Sequence, residues 1–143
     1  MEDEDPPFPA QYVLGLRLFN NGYYWHAHEA LEDVWNEASG VDRECYQGVI
    51  QVAAACFHIV RANWSGADRL LHQARKNLAS GGARWRGLDL VALDRTIDAL
   101  LDEVHAVHHA GKPSFDLGLV PVLVADGGPD VTAAMDGPPS PRD

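Results

Sequence analysis

Lysine is almost missing from this sequence: Lys76 and Lys112 are the only two in 143 residues, and Asp outnumbers Glu. With a formal charge of -10, long-range repulsion excludes nucleic acid and anionic membranes as partners. The same bias suits a salt-rich cytoplasm, and it equally suits a GC-rich genome that trades Lys for Arg. Cysteine is scarce too. Cys45 and Cys56 fall in one helical segment, roughly 16 Å apart at 1.5 Å per residue, beyond disulfide reach, so reduced thiols in a cytoplasmic protein are expected. The start, Met1-Glu2-Asp3-Glu4-Asp5-Pro6-Pro7, has no apolar run like a signal peptide, and no stretch is long and apolar enough to span a membrane. A Gly-rich phosphate loop and a G-x-S-x-G elbow are both absent. No fixed period recurs, which argues against a tetratricopeptide-like partner-binding scaffold.

What is present is helical. A hydrophobic content of 46% in a chain of this length supplies one core without disulfides. Residues 1–9, acidic and Pro-rich, read as a flexible arm; residues 10–125 as a single helical domain; residues 126–143, rich in Pro, Gly and Asp, as a disordered tail. Tyr12, Val13, Leu16 and Phe19 give a first helix over Ala10 to Asn20, stopped by Asn20-Asn21-Gly22. A second helix is expected from Tyr23 to Ala38, and a third from Asp42, as N-cap, to Ala62. Ser65 is the expected cap of a fourth, whose stripe is Ala67, Leu70, Leu71, Ala74 and Leu78. After an irregular piece at Trp85-Arg86-Gly87, Asp89 caps a fifth with Leu93, Ile97, Leu100, Leu101 and Val104 on one face. The fold class is therefore all-α, a compact antiparallel bundle of about five helices. Leu117 to Val124, broken by Gly118 and Pro121, reads as an irregular C-terminal strap over it.

The third helix is the informative one. From Val49 to Val60 it is apolar nearly all round, so it must be central. Its polar exceptions Gln47, Gln51 and His58 fall within roughly 40° of one another at about 100° per residue. An unpaired buried amide or imidazole costs about 1–3 kcal/mol, so this polar line must meet partners. The second helix offers them, because Tyr24, His28, Leu31, Glu32 and Trp35 share its apolar and aromatic face while His26, Asp33 and Glu37 point away. The expectation is a cluster of His28, Glu32, Gln51 and His58. Such a cluster is a hydrogen-bonded network that fixes helix register, a two-His, one-carboxylate site for zinc or ferrous iron, or a metal-free site for a small molecule.

The string His28-Glu29-Ala30-Leu31-Glu32 is a variant of H-E-x-x-H with a carboxylate in place of the second His. It puts two ligands one turn apart and Glu29 beside them as a base. About 100° from His28, Glu29 fits a solvated or salt-bridged carboxylate more readily. His105, His108 and His109 sit where a helix C-terminus favours positive charge. Tyr24, Trp25 and Trp35 read as core aromatics, and Trp64 and Trp85 as loop anchors or exposed contacts.

Two runs, Leu18-Phe19-Asn20-Asn21-Gly22-Tyr23-Tyr24-Trp25-His26-Ala27-His28-Glu29-Ala30-Leu31-Glu32-Asp33-Val34-Trp35 and Tyr46-Gln47-Gly48-Val49-Ile50-Gln51, carry a resemblance. They resemble the pattern F-N-x-G-x-Y-x-E-A-H-E-x-x-E-x-x-W then Q-G-x-I-Q of domain-of-unknown-function family 309 (DUF309), over roughly Phe8 to His105. His26 departs from it, standing where the family has Glu. The resemblance implies an all-α bundle and carries the label of a metal-dependent hydrolase.

The candidate activity is thus metal-dependent hydrolysis between the second and third helices. His28, Glu32 and His58 are expected as ligands of a divalent metal (zinc, iron or manganese), Glu29 as catalytic base, and Gln47, Gln51, Tyr24 and Trp35 as substrate or supporting contacts. The alternative is a non-enzymatic binding or assembly module in which the cluster is structural. Expected partners are a small molecule or a protein, including a second copy of the chain.

Overall fold

The computed structural model describes residues 7–137; the expected arm at positions 1–6 and the end of the tail at 138–143 lie outside the described residues. Five helices account for most of it: α1 Ala10–Asn20, α2 Tyr24–Glu37, α3 Gly40–Val60, α4 Trp64–Leu78 and α5 Leu90–His109. The links between α1 and α4 are only two or three residues long, and each helix packs on its chain neighbours, with α3 between α2 and α4. The turn after α1 needs Gly22, whose φ of +84° is a left-handed value that a Cβ disfavours. The core runs through Tyr12, Leu16, Leu31, Val49, Val52, Leu71, Ile97 and Leu100, all essentially without solvent contact.

Two helix starts differ from expectation. Helix α3 begins at Gly40 with Ser39 as N-cap and no side-chain cap bond, because Asp42 is used elsewhere: it accepts from Trp85 Nε1 and Arg86 Nη2, each at 2.8 Å. Helix α4 is capped not by Ser65 but by Asn63, whose side chain accepts from Gly66 N at 3.2 Å. Asp89 caps α5 as expected, accepting from Ala92 N at 3.0 Å.

The irregular piece between α4 and α5 is a miniature antiparallel hairpin, β1 Arg84–Trp85 and β2 Leu88–Asp89, with Trp85 opposite Leu88. Its two loop residues, Arg86 and Gly87, both have positive φ (+43° and +80°), as a type I′ turn requires. For Arg86 that backbone costs about 1–2 kcal/mol. Arg86 is offset by its pairing with Asp42 and by its carbonyl, which accepts from Tyr12 Oη at 2.9 Å. Trp85 lies edge-on to Tyr12 and Tyr46, at centroid distances of 5.6 and 4.8 Å, so the hairpin is bolted to α1 and α3.

The strap is present and firmly tied. After a 3₁₀ turn at Leu117–Leu119, Leu123, Ala125 and Val131 are buried. Asn20 accepts from Leu123 N at 2.8 Å and donates to Leu123 O and Val131 O at 2.8 and 2.9 Å. Asn21 donates to Ala133 O and accepts from Met135 N, each at 3.0 Å. The stretch from 126 to 137, read as tail, is therefore held along the end of α1 as far as Met135. At the arm, Phe8 lies against Gly128.

Candidate functional site

The four residues expected to form one cluster are not brought together. On α2, His28 Nε2 is 3.1 Å from Glu32 Oε1, one turn on. Glu32 is half in solvent, its side chain 45% exposed, so it is not a buried carboxylate that requires a cation. His28 is the more enclosed; its ring stacks on Trp25, centroids 5.0 Å apart and planes within 10°, and its Nδ1 is buried without a hydrogen-bond partner.

The polar line of α3 looks the other way, at α4. Gln51 Oε1 accepts from Asn77 Nδ2 at 2.8 Å and its Nε2 lies 3.4 Å from Gln73 Oε1. Those partners lie on α4 next to its apolar stripe, so that two amides satisfy the third. His58 sits at the last turn of α3, its Nδ1 3.1 Å from Asn63 Nδ2. Because the Asn63 oxygen accepts from Gly66 N, its Nδ2 is the donor and His58 Nδ1 the acceptor. Gln47 is half-buried on the same helix. Gln51 thus bonds across to α4 and His58 to the link before it, while His28 and Glu32 pair with each other on α2.

The expected metal set of His28, Glu32 and His58 is not a three-ligand site here, and among the described residues no group of three or more His, Cys, Asp or Glu side chains is placed to hold a metal. A pair one turn apart does not supply the three protein ligands of a catalytic zinc. Glu29 is half-buried. Tyr24 packs edge-on to Phe19 at 5.2 Å, and burial pushes its hydroxyl pKa up to about 12. Trp35 is covered by Arg43, whose guanidinium sits 3.9 Å from the ring centroid and whose Nη1 donates to Trp35 O at 3.1 Å. That pair braces the α2–α3 link. The thiols are inert: burial raises Cys45 to about 11 and Cys56 to about 12.

What sequence reasoning missed is Trp25. Read as a core aromatic, it is 49% exposed and forms one wall of a groove between the N-terminal turn of α2 and the C-terminal turns of α3. The groove has a volume of about 770 Å³ and is lined by Gly22, Tyr23, Tyr24, Trp25, Phe57 and Val60, with His26 and Arg61 at its edge. Trp25 and Phe57 are 5.4 Å apart by ring centroid. The Arg61 guanidinium lies 4.4 Å from the Phe57 ring, a cation–π contact. His26 meets Tyr23 edge-on at 6.2 Å. A signal existed in the sequence: Trp25 precedes His28 by three positions, at the margin of the inward face, in the first turn after a glycine.

The described residues form a small helical domain with an aromatic groove at one end. The model of the family described as "Domain of unknown function (DUF309)" matches residues 12–70, which include most of α1, all of α2 and α3, and the groove. The chain is 30% identical over 105 residues, 73% of its length, to an uncharacterized protein of Aquifex aeolicus, of which it covers 29%. To the uncharacterized protein YpuF of Bacillus subtilis it is 34% identical over 89 residues, 61% of this chain and 49% of YpuF. It therefore spans less than half the length of these curated relatives. Among the described residues no helix is long and apolar enough to cross a membrane.

Proposed function

We propose that this chain is a non-catalytic helical binding module whose ligand surface is the aromatic groove, and that it takes an extended, apolar peptide segment. The observation that carries this reading is the exposure of Trp25 beside Phe57 and Val60, the last 54% exposed. A Trp side chain has roughly 150–250 Å² to bury. Leaving half of that in water forgoes about 2–3 kcal/mol at 25 cal/mol/Å², which a partner regains on covering it. The groove's volume falls in the usual range for ligand sites, roughly 300–1,000 Å³. Its rings supply area, while the Trp25 indole N–H and the Tyr23 hydroxyl are donors for a peptide's carbonyls. The partial coverage of longer relatives supports a domain used as one module among others.

The test is a displayed peptide library panned on the native chain and counter-panned on Trp25→Ala. The expected result is enrichment of apolar peptides that lose at least about tenfold in affinity, roughly 1.4 kcal/mol, for Trp25→Ala, with unchanged circular dichroism and melting. Peptides that bind both proteins equally, or no enrichment at all, would overturn the reading.

A further inference from the structure

We infer that the segment taken by the aromatic groove carries an acidic side chain, and that Arg61 is the residue that selects it. This rests on the groove being a peptide site. The chain holds 21 Asp and Glu against 11 Lys and Arg, yet no carboxylate lines the groove, and the groups at its edge are His26 and Arg61. Arg61 is exposed and forms no ion pair among the described residues. Arg75, Arg84 and Arg86 each hold a carboxylate. A cation left open beside an apolar surface, in a chain with so large an acidic excess, is the complement of a negative group on whatever covers that surface. The net charge of -10 repels an acidic peptide at long range, but at physiological salt that repulsion fades beyond about 8 Å, whereas Arg61 acts at contact.

The backbone on both sides of the groove is fixed before anything binds. Helix α3 ends in a Schellman motif, with Asn63 N donating to His58 O at 2.9 Å and Ala62 N to Ile59 O at 3.0 Å. Ala62 takes the left-handed position of that motif at a φ of +57°, where glycine is usual. Helix α1 ends the same way, with Tyr23 N donating to Leu18 O and Gly22 N to Phe19 O, each at 2.9 Å. Arg61 therefore leaves a closed turn, and its guanidinium rests 4.4 Å from the Phe57 ring centroid. That contact leaves the fork of N–H donors for the two oxygens of a carboxylate. A long side chain already laid on a ring has less rotamer freedom to lose on binding.

The same geometry sets where the acidic residue falls. Phe57 touches both groups: the guanidinium is 4.4 Å from its centroid and the Trp25 ring 5.4 Å, so the cation is within about 10 Å of Trp25. In an extended peptide, residues two apart share a face and lie roughly 7 Å from each other. A carboxylate on Arg61 is thus two positions from the apolar side chain that covers Trp25.

The experiment pans the displayed peptide library on the native full chain at physiological salt, where Asp or Glu should be enriched two positions from the apolar anchor. One selected peptide is then synthesised with Glu, Gln or Lys at that position. The Glu peptide should bind the native chain about three- to fivefold more tightly than the Gln peptide, the range for a partly exposed ion pair. That preference should vanish in Arg61→Gln, persist in Arg61→Lys and turn to the Lys peptide in Arg61→Glu. Because the peptides are compared on one and the same protein, a change in a variant's stability does not enter the ratio. No acidic enrichment, or a preference for Glu that survives Arg61→Gln, overturns the inference. So does an equal affinity of the native chain for the Glu and Gln peptides, which would leave Arg61 as a brace for Phe57. If the selected peptides bind through Trp25 and yet give any of these results, this inference falls and the binding module stands. If no peptide depends on Trp25, the binding module itself falls.

Discussion

Asp42 ties together two elements that are far apart in the sequence. Its two oxygens hold the Trp85 indole and the Arg86 guanidinium, joining the first turn of α3 to the hairpin. Burial works against its charged form, but the hydrogen bonds from Arg86 and Trp85 prevail and hold its pKa below the usual carboxylate value. A carboxyl depressed in the folded state contributes stability that is fully present above its unfolded pKa, about 3.9. That contribution is lost as pH falls through the lower folded value. Asp42→Asn is expected to lose about 1–3 kcal/mol at pH 6 and to show a smaller fall in urea midpoint between pH 6 and pH 3 than the native chain. Urea titrations at the two pH values check both. A residual slope will remain, because the Arg75 hydrogen bond lowers Asp94, and Lys112 with the Asp116 backbone N–H lowers Glu103. The sequence showed Asp42 only as a capping residue near a helix start. Its distant partners, Trp85 and Arg86, were not legible, because sequence pattern carries no information about which loop folds back over which turn.

Among the elements, α3 shows why the fold was readable and the site was not. Its start lies at Gly40 rather than Asp42, but its apolar circumference correctly made it central. Yet a helix apolar on all sides has no direction: nothing in its pattern says whether Gln51 and His58 face α2 or α4. Gln51 faces α4 and His58 the link before it, and the four-residue cluster dissolved on that one rotation. Trp25 was misplaced for a related reason, since aromatic character argues for burial in either position. The hairpin is the element whose strain is most exposed to test. Gly87 combines a φ of +80° with a hypothetical Cβ only 2.7–2.8 Å from backbone atoms of Ala125 and Asp126, and Asp126 N donates to its carbonyl at 2.9 Å. Gly87→Ala must break the close approach of strap to hairpin as well as strain the turn. A loss of about 2 kcal/mol or more is expected in chemical denaturation. Hydrogen exchange should rise for the Asp126 amide more than for α3 amides.

For the molecule as a whole the largest unbalanced quantity is charge, -10 across 143 residues. Two opposite salt effects follow. Screening weakens the attractive pairs, among them Arg75 with Asp94 and Asp98 and Arg84 with Asp126. These lie at half-exposed to exposed positions where an ion pair contributes about 0–1 kcal/mol. Screening also relieves the mutual repulsion of the acidic excess, which acts over longer distances and over every acidic residue at once. At 0.1 M salt the Debye length is about 10 Å and reaches across neighbouring side chains; at 1 M it is about 3 Å and does not. With few strong pairs to lose and a large excess to relieve, repulsion dominates the balance. The urea midpoint is therefore expected to be higher in 1 M than in 0.1 M potassium chloride. A midpoint that falls would mean that the surface pairs outweigh the net charge, and would count against reading the lysine-poor surface as an adaptation to salt.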